Sequence, residues 1–311
     1  MALTSRLSGA VWGHLVGDAV GVPWEGSRPA DFLDLDEPLG LRGWRSHHQP
    51  PGTWSDDGAM MLALLDSLLE AGFDPADQAR CYLRWADEGA YTPDGDGLFD
   101  IGGTTQQALA LLRRGTPAEA AGGIDEHSNG NGSLMRTLPI ALVGRRLDDA
   151  VLVEQAHRAS SVTHAHPVSQ VTCALYVLVA RRLLAGARDR AACLRNAVAW
   201  LREHYRSRGD ANAAKALERL LSWPERTGRG YVVDAFWSAW EAFERAHDYR
   251  GTTEIAVGYG HDTDSTACIA GGLAGLYWGL EAIPSEWLEG MRGKSIVEPI
   301  LRRLVAAARR A

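Results

Sequence analysis

The chain has 311 residues, 46% of them hydrophobic, with a formal net charge of -7. That length and apolar content can bury a substantial core, and no Pro/Ser-rich linker divides it, so a single domain over residues 1–311 is expected. The acidity argues against a duplex-binding surface of clustered Lys and Arg, no charged-apolar-small leader opens the chain, and no apolar run reaches the roughly 18 residues of a membrane span; a cytoplasmic protein is expected, with neither membrane nor nucleic acid as its main partner.

Apolar residues recur at helical spacing along the whole chain. The first window, Leu7 to Val20, ends at Gly17-Asp18-Ala19-Val20-Gly21 and is followed by Pro23-Trp24-Glu25. Asp18 is given a structural role. Glu25, just past a helix end and beside an aromatic ring, is either an exposed loop carboxylate or a mobile acid covering a site. Trp24 and Trp44, in a segment punctuated by Gly and Pro, and Trp54 are expected to line a pocket. Gly52-Thr53-Trp54 leads into Ser55-Asp56-Asp57, and helices are predicted over Asp57 to Ala71 and Pro75 to Glu88.

Phe99-Asp100-Ile101-Gly102-Gly103-Thr104-Thr105 precedes a predicted helix from Thr104 to Arg113. Capping accounts for Thr104. Asp100, upstream among apolar neighbours, is a candidate for orienting a substrate or for general acid–base work. Ser128-Asn129-Gly130-Asn131-Gly132-Ser133 opens a helical window running from Ser133 to Arg145. Such a loop exposes backbone N–H groups at a positive helix end, which suits a phosphate or diphosphate. No Gly-Lys-Ser/Thr follows, so it is not a Walker loop.

The window Asp148 to Ala159 leads to Ser161-Val162-Thr163-His164-Ala165-His166-Pro167. The two imidazoles are either a zinc pair, for which the sequence supplies no partners, or hydrogen-bonding groups for a substrate or the aspartates. Further windows cover Val168 to Ala185, Arg190 to Tyr205, Ala211 to Leu221, Val232 to Ala246, Thr263 to Leu280 and Ser295 to Ala308. Strand-like alternation is almost absent and no long repeat occurs, so the expected class is all-α. Trp85, Trp200, Trp237 and Trp240, and the thiols of Cys81, Cys173, Cys193 and Cys268, fall in these windows and are assigned to the core.

Chemistry concentrates in two clusters near opposite ends of the chain, Ser55-Asp56-Asp57 and Asp262-Thr263-Asp264-Ser265, the second introduced by Gly258-Tyr259-Gly260-His261. Asp and Ser are also ordinary helix N-caps. Capping needs one acceptor per helix, however, and four carboxylates on two glycine-rich turns would repel one another unless a cation neutralised them. Mixed carboxylate and hydroxyl oxygens suit Mg²⁺. The clusters therefore predict a fold that brings them together as a one- or two-metal hydrolytic site.

Four pieces in register resemble the ADP-ribosylglycohydrolase family, which includes the ADP-ribosylarginine hydrolases and the dinitrogenase reductase-activating glycohydrolase. They are Gly-Thr-Trp-Ser-Asp-Asp at 52–57, Gly-Asn-Gly-Ser-Leu-Met-Arg at 130–136, Thr-His-Ala-His-Pro at 163–167 and Gly-His-Asp-Thr-Asp-Ser at 260–265. The resemblance spans Gly17 to Gly275. It implies a compact, multi-helix all-α fold with a cleft holding two Mg²⁺ (or Mn²⁺), in which the bond between C1″ of ADP-ribose and a modified side chain is cleaved.

By the same resemblance Ser55, Asp56, Asp57, Asp262, Asp264 and Ser265 would be the metal ligands. Serine at 55 and 265 stands where the family usually has threonine, and it keeps the hydroxyl oxygen. Ser128, Asn129, Gly130, Asn131 and Gly132 would bind the diphosphate, and His164 the ribose region. Glu25 would belong to a flap over the metals, and Asp100 would match the catalytic or positioning aspartate of the arginine-specific branch. Two cations about 4 Å apart would polarise ribose hydroxyls and activate a water, with Asp57 or Asp100 moving the proton.

The expected partner is an ADP-ribosylated protein or a small ADP-ribose conjugate. The expected linkage is to arginine, since a carboxylate at 100 can pair with a departing guanidinium. Serine, O-acetyl and nucleic-acid linkages are alternatives, as is a non-catalytic ADP-ribose-binding relative. An isoprenoid-synthase-like reading needs carboxylates at i and i+4, which Asp56-Asp57-Gly58-Ala59-Met60 lacks, and a His-Asp phosphohydrolase needs further histidines.

Overall fold

Four glycines spaced four apart on the first helix set the architecture. The computed structural model describes residues 1–32, 38–93 and 98–310, and α1 spans Leu3–Gly21. Residues at i and i+4 share one helix face, so Gly9, Gly13, Gly17 and Gly21 form a strip without side chains. A Cβ at these positions would lie 2.4, 2.5, 2.3 and 2.5 Å from backbone atoms of Gly275, Gly271, Ala267 and Asp264, respectively. Those partners belong to α12, Thr263–Trp278. The two helices thus run antiparallel, backbone against backbone, with the end of α1 lying on the start of α12.

Helix α12 is buried from Thr263 to Leu276, as expected for a helix that is apolar on every side. Around this pair pack α2 (Asp56–Ala71), α7 (Pro167–Leu184), α10 (Val232–Arg245), α11 (Tyr249–Gly258) and α14 (Lys294–Arg310). Farther out, α3 (Pro75–Glu88) lies on α2, and α4 (Gly103–Arg113) on α3. α5 (Leu138–Val143), α6 (Asp149–Ser161), α8 (Arg190–Arg208) and α9 (Ala211–Leu221) surround α7, and α13 (Ser285–Gly290) touches α1. One apolar cluster runs through the fold from Leu7 to Leu304. Fully burying Phe236 or Phe243 within it contributes about 1.5–3 kcal/mol each.

The all-α expectation holds: among the described residues no strand forms, and two isolated bridges, Gly123 with His164 and Gly130 with Tyr231, join loops. All four cysteines are buried and free. Among the described residues no helix is long and apolar enough to cross a membrane.

The structure departs from the predicted helices in three places. The window from Ser133 to Arg145 is broken: a 3-10 turn covers Asn131–Ser133 and α5 begins only at Leu138. Pro139 has no N–H to give to a preceding turn and sits in the first turn of α5, where none is needed, so it favours a helix that starts there. α11 lies outside the predicted helices because Gly251 and Gly258 and the pair Thr252-Thr253 dilute its periodicity; the Asp248 side chain caps it by accepting from the Gly251 N–H. α13, with six residues, is too short to show a period.

Candidate metal centre

Three helix ends meet at one point. Ser55 is the N-cap of α2, its Oγ accepting the Asp57 N–H at 3.2 Å and donating to Asp57 Oδ2 at 2.9 Å. Asp18, in the last turn of α1, accepts the backbone N–H groups of Ser55 (2.9 Å) and Gly58 (2.8 Å). This is the structural role expected for it, a carboxylate satisfying orphan donors at a helix start. From α12, Ser265 Oγ donates to Asp57 Oδ1 at 2.9 Å, and the Cys268 thiol approaches the same oxygen at 3.3 Å. The two clusters from opposite ends of the sequence are therefore in direct contact.

Asp18, Asp57 and Asp264 each place a carboxylate oxygen within 4.8 Å of the others. The sequence reading had not placed Asp18 among the clustered acids. Both oxygens of Asp264 are buried without a hydrogen-bond partner. An anionic group so placed is costly unless something positive meets it. Asp262 accepts a bond from Asn131 Nδ2 at 3.0 Å.

Burial pushes the carboxyls of Asp18, Asp56, Asp57 and Asp262 well above their ordinary range, and a neighbouring carboxylate pushes further: Asp57 for Asp56, Asp264 for the other three. Asp264 is raised by burial and then by Glu25. Asp100 is pushed up to about 11, by burial first and by Asp264 next. A knot of buried like charges is the electrostatic condition that a divalent cation relieves. Burial also lifts the Cys268 thiol well above its usual value, which keeps it protonated and leaves an all-oxygen donor set. Those oxygens fit Mg²⁺ or Mn²⁺.

Above this floor opens a cavity of about 270 Å³, with Asp56, Asp262 and Ser265 at its base. Gly130, Asn131, Gly132 and His164 form one wall, Asp100 and residues 102–105 another, and Glu25 lies at the mouth. The 130–132 loop is held by Asn131 N–H to Gly230 O and Val232 N–H to Asn129 O, both 2.9 Å. Behind it the buried Arg136 guanidinium donates to Gly132 O at 2.7 Å and lies 4.8 Å from the Tyr82 ring. A side chain at Gly132 would sit 2.8 Å from His164 Cε1, so glycine there lets the imidazole reach the cavity. Ser128 and Asn129 stand behind this wall; Asn129 Oδ1 accepts from Ser169 Oγ at 3.0 Å.

His164 bonds through Nδ1 to Thr163 Oγ1 at 2.7 Å, and burial, with Arg136 nearby, holds its pKa down at about 3, so the ring is neutral. His166 turns away to cap α7, its Nδ1 accepting the Val168 N–H at 3.2 Å. The two imidazoles serve separate ends and do not form a zinc pair. Asp100 and His261 both take positive φ, 62° and 60°, a conformation that Asp and His accept more readily than most residues with a Cβ.

Glu25 sits on a turn docked to the second cluster's loop by Gly26 N–H to His261 O (2.6 Å) and His261 N–H to Ser27 O (2.7 Å). Its carboxylate is hydrogen-bonded to His47 Nε2, which raises the His47 imidazole above its ordinary value. Sequence reasoning missed His47, which lies in an irregular loop and belongs to no spaced pattern. The expectation for three tryptophans is corrected: none of them lines this cavity. Trp54 is fully buried with its N–H on Tyr91 O, Trp24 is buried under the Arg45 guanidinium, and Trp44 is 63% exposed.

Comparison with known proteins agrees with this geometry. The ADP-ribosylglycohydrolase family model matches residues 1–311. The ADP-ribosylarginine hydrolase Tri1 of Pseudomonas putida (strain GB-1) is 32% identical over 305 residues, which cover 96% of this chain and 77% of that protein. The ADP-ribosyl-(dinitrogen reductase) glycohydrolase of Rhodospirillum rubrum is 28% identical, covering 97% and 95%. A solved ADP-ribosylglycohydrolase-related protein complex superimposes with a TM-score of 0.76 at 32% identity, over 99% of this chain and 98% of that one. With the family model running the whole length of the chain and an all-helical scaffold that gathers its aspartates beneath one cleft, the chain belongs to the ADP-ribosylglycohydrolase family of hydrolytic enzymes.

Proposed function

We propose that the protein is a Mg²⁺-dependent hydrolase that frees arginine side chains from ADP-ribose. Ser55, Asp56, Asp57, Asp262, Asp264 and Ser265 are the metal ligands in this reading, joined by Asp18. The observation that carries it is the buried Asp264 carboxylate, without a hydrogen-bond partner and at the centre of the acidic knot. When bound, the cations neutralise these carboxylates and act as Lewis acids toward ribose oxygens.

The chain's own residues do the rest. The wall of Gly130, Asn131 and Gly132 receives the diphosphate, and neutral His164 hydrogen-bonds the ribose side. Of the two carboxylates considered for proton transfer, Asp57 has both oxygens engaged by Ser55, Ser265 and Cys268, whereas Asp100 faces the cavity. Asp100 therefore moves the proton and pairs with the departing guanidinium. The arginine linkage is supported by the names of the Pseudomonas putida and Serratia proteamaculans relatives, both ADP-ribosylarginine hydrolases.

The test is a panel of arginine, serine and O-acetyl conjugates of ADP-ribose, assayed with Mg²⁺ and with Mn²⁺ for the wild type and Asp56→Ala. Fastest release from arginine, abolished by chelation and by the substitution, is expected. Preference for another linkage replaces the substrate assignment, and turnover unaffected by chelation removes the metal.

A further inference from the structure

We propose that His47 is a positioning residue that holds the Glu25 carboxylate at the cleft mouth beside Asp100, and that it governs turnover without contributing to metal or ADP-ribose binding. The proposal rests on the hydrolase function given above and adds a residue to it.

Glu25 follows the end of α1 on a turn, and its side chain keeps 26% of its exposure. A glutamate there has several free torsions and ordinarily samples solvent. Its carboxylate instead meets His47 Nε2, and Glu25, His47 and Asp100 present atoms within 4.8 Å of one another. On its other side the imidazole contacts the Phe99 ring, centroids 5.1 Å apart and planes tilted by 43°. Phe99 is the residue before Asp100. One imidazole thus touches both segments that carry the carboxylates of the mouth.

The loop bearing His47 is built to keep it there. Trp44 N–H to Gln49 O at 2.8 Å closes the loop. Ser46 Oγ donates to the Glu25 carbonyl at 2.6 Å and faces the Pro23 carbonyl at 3.2 Å. The Arg45 guanidinium lies 3.9 Å from the centroid of the Trp24 ring. Trp44 and His48 both take positive φ, 65° and 52°, which residues with a Cβ avoid. Three consecutive residues of this loop, 45 to 47, therefore hold three consecutive residues of the other, 23 to 25. The ADP-ribose wall at 130–132 and the acidic floor make none of these contacts, so the clamp can fail while both binding surfaces stand.

The experiment compares wild type, His47→Ala and His47→Gln, the last keeping an N–H donor at similar reach. On the conjugate that the wild type cleaves fastest, His47→Ala is expected to lower kcat by about 10- to 100-fold, because the Glu25 carboxylate, taken here as the mobile acid over the site, no longer stands beside Asp100. KM and the Mn²⁺ stoichiometry from calorimetry stay unchanged, and His47→Gln recovers most of kcat. Hydrogen exchange over residues 22–28 reads the same clamp without turnover: faster in His47→Ala, near wild type in His47→Gln.

An unchanged kcat, a change confined to KM, or unchanged exchange overturns the proposal. So does the loss of one Mn²⁺ equivalent in His47→Ala, which makes His47 a ligand of a cation shared with Glu25 and Asp100. Should the wild type cleave no conjugate, the proposed function fails, and the exchange rates alone decide whether His47 holds Glu25.

Discussion

On the floor of the cleft Asp57 is fully buried, with Ser55 on one oxygen and Ser265 and Cys268 on the other; at the mouth Glu25 and Asp100 ride on loops, and Glu25 leans on a single imidazole. The floor is assembled from helix ends whose backbones touch along α1 and α12, so its carboxylates cannot drift apart to relieve their repulsion. The mouth is assembled from loops that hold one another through side-chain contacts and a few backbone hydrogen bonds, without helix backbones in contact. Under the proposed function the contrast separates two duties: a rigid base that concentrates negative charge for cations, and a loop-borne rim that places the groups acting on the leaving side chain.

The largest effect should come from the floor. Asp264→Asn is expected to cut turnover by ~10³-fold and to abolish Mg²⁺-dependent stabilisation. It should also raise the melting temperature in EDTA, because one of several buried like charges is gone. Calorimetric melts with and without Mg²⁺ check this; a lower Tm in EDTA would break the reading of the floor as a charge knot.

Next comes the helix pairing that makes the floor rigid. In Gly275→Ala the new methyl would stand 1.8 Å from the Gly9 carbonyl oxygen, forcing α1 and α12 apart. A loss of about 3 kcal/mol is expected in urea unfolding, at the upper end for overpacking. Gly258→Ala on α11 is the control: no atom lies within 4 Å of its added Cβ. Its effect should stay within about 1 kcal/mol.

At the rim, Asp100→Asn should lower kcat by about 100-fold while leaving Mg²⁺ affinity within about twofold. Equal loss of both would place Asp100 on the floor and blur the division.

The smallest effect is on pH dependence in the metal-free state. The folded-state pKa values of Asp18, Asp56, Asp57 and Asp262 lie above those of the unfolded chain. Such groups bind protons more tightly when folded, so their contribution is complete below the ordinary carboxylate pKa near 4 and is lost as pH rises through the raised values. In EDTA, melting temperature should fall as pH rises above the ordinary carboxylate range, and saturating Mg²⁺ should flatten or reverse that slope. A flat profile in EDTA would mean that burial and mutual repulsion do not raise these carboxyls.

Much of this arrangement could be read before any coordinates. Periodicity located most of the long helices, since an amphipathic or wholly buried helix writes its spacing into adjacent residues. Ser55 to Asp57 and Asp262 to Ser265 stood out because four acids exceed what two caps need. The strip of Gly9, Gly13, Gly17 and Gly21 is equally visible in the sequence, since glycines four apart share one helix face, but only the structure gives its partner, α12. His47 offered no such pattern, because its partner is a loop glutamate.

The sequence by itself determined an all-α chain with two acidic turns and a glycine loop, because helix periodicity, capping and turn chemistry act between near neighbours. Only the tertiary structure decided that Asp18 joins the acidic knot, that Asp264 lies there without a hydrogen-bond partner, that His164 and His166 part company and that His47 grips Glu25. Asp18 and Asp264 meet because the glycine strip of α1 lets the α12 backbone come against it, whereas the histidine contacts depend on how loops distant in sequence pack on the finished core.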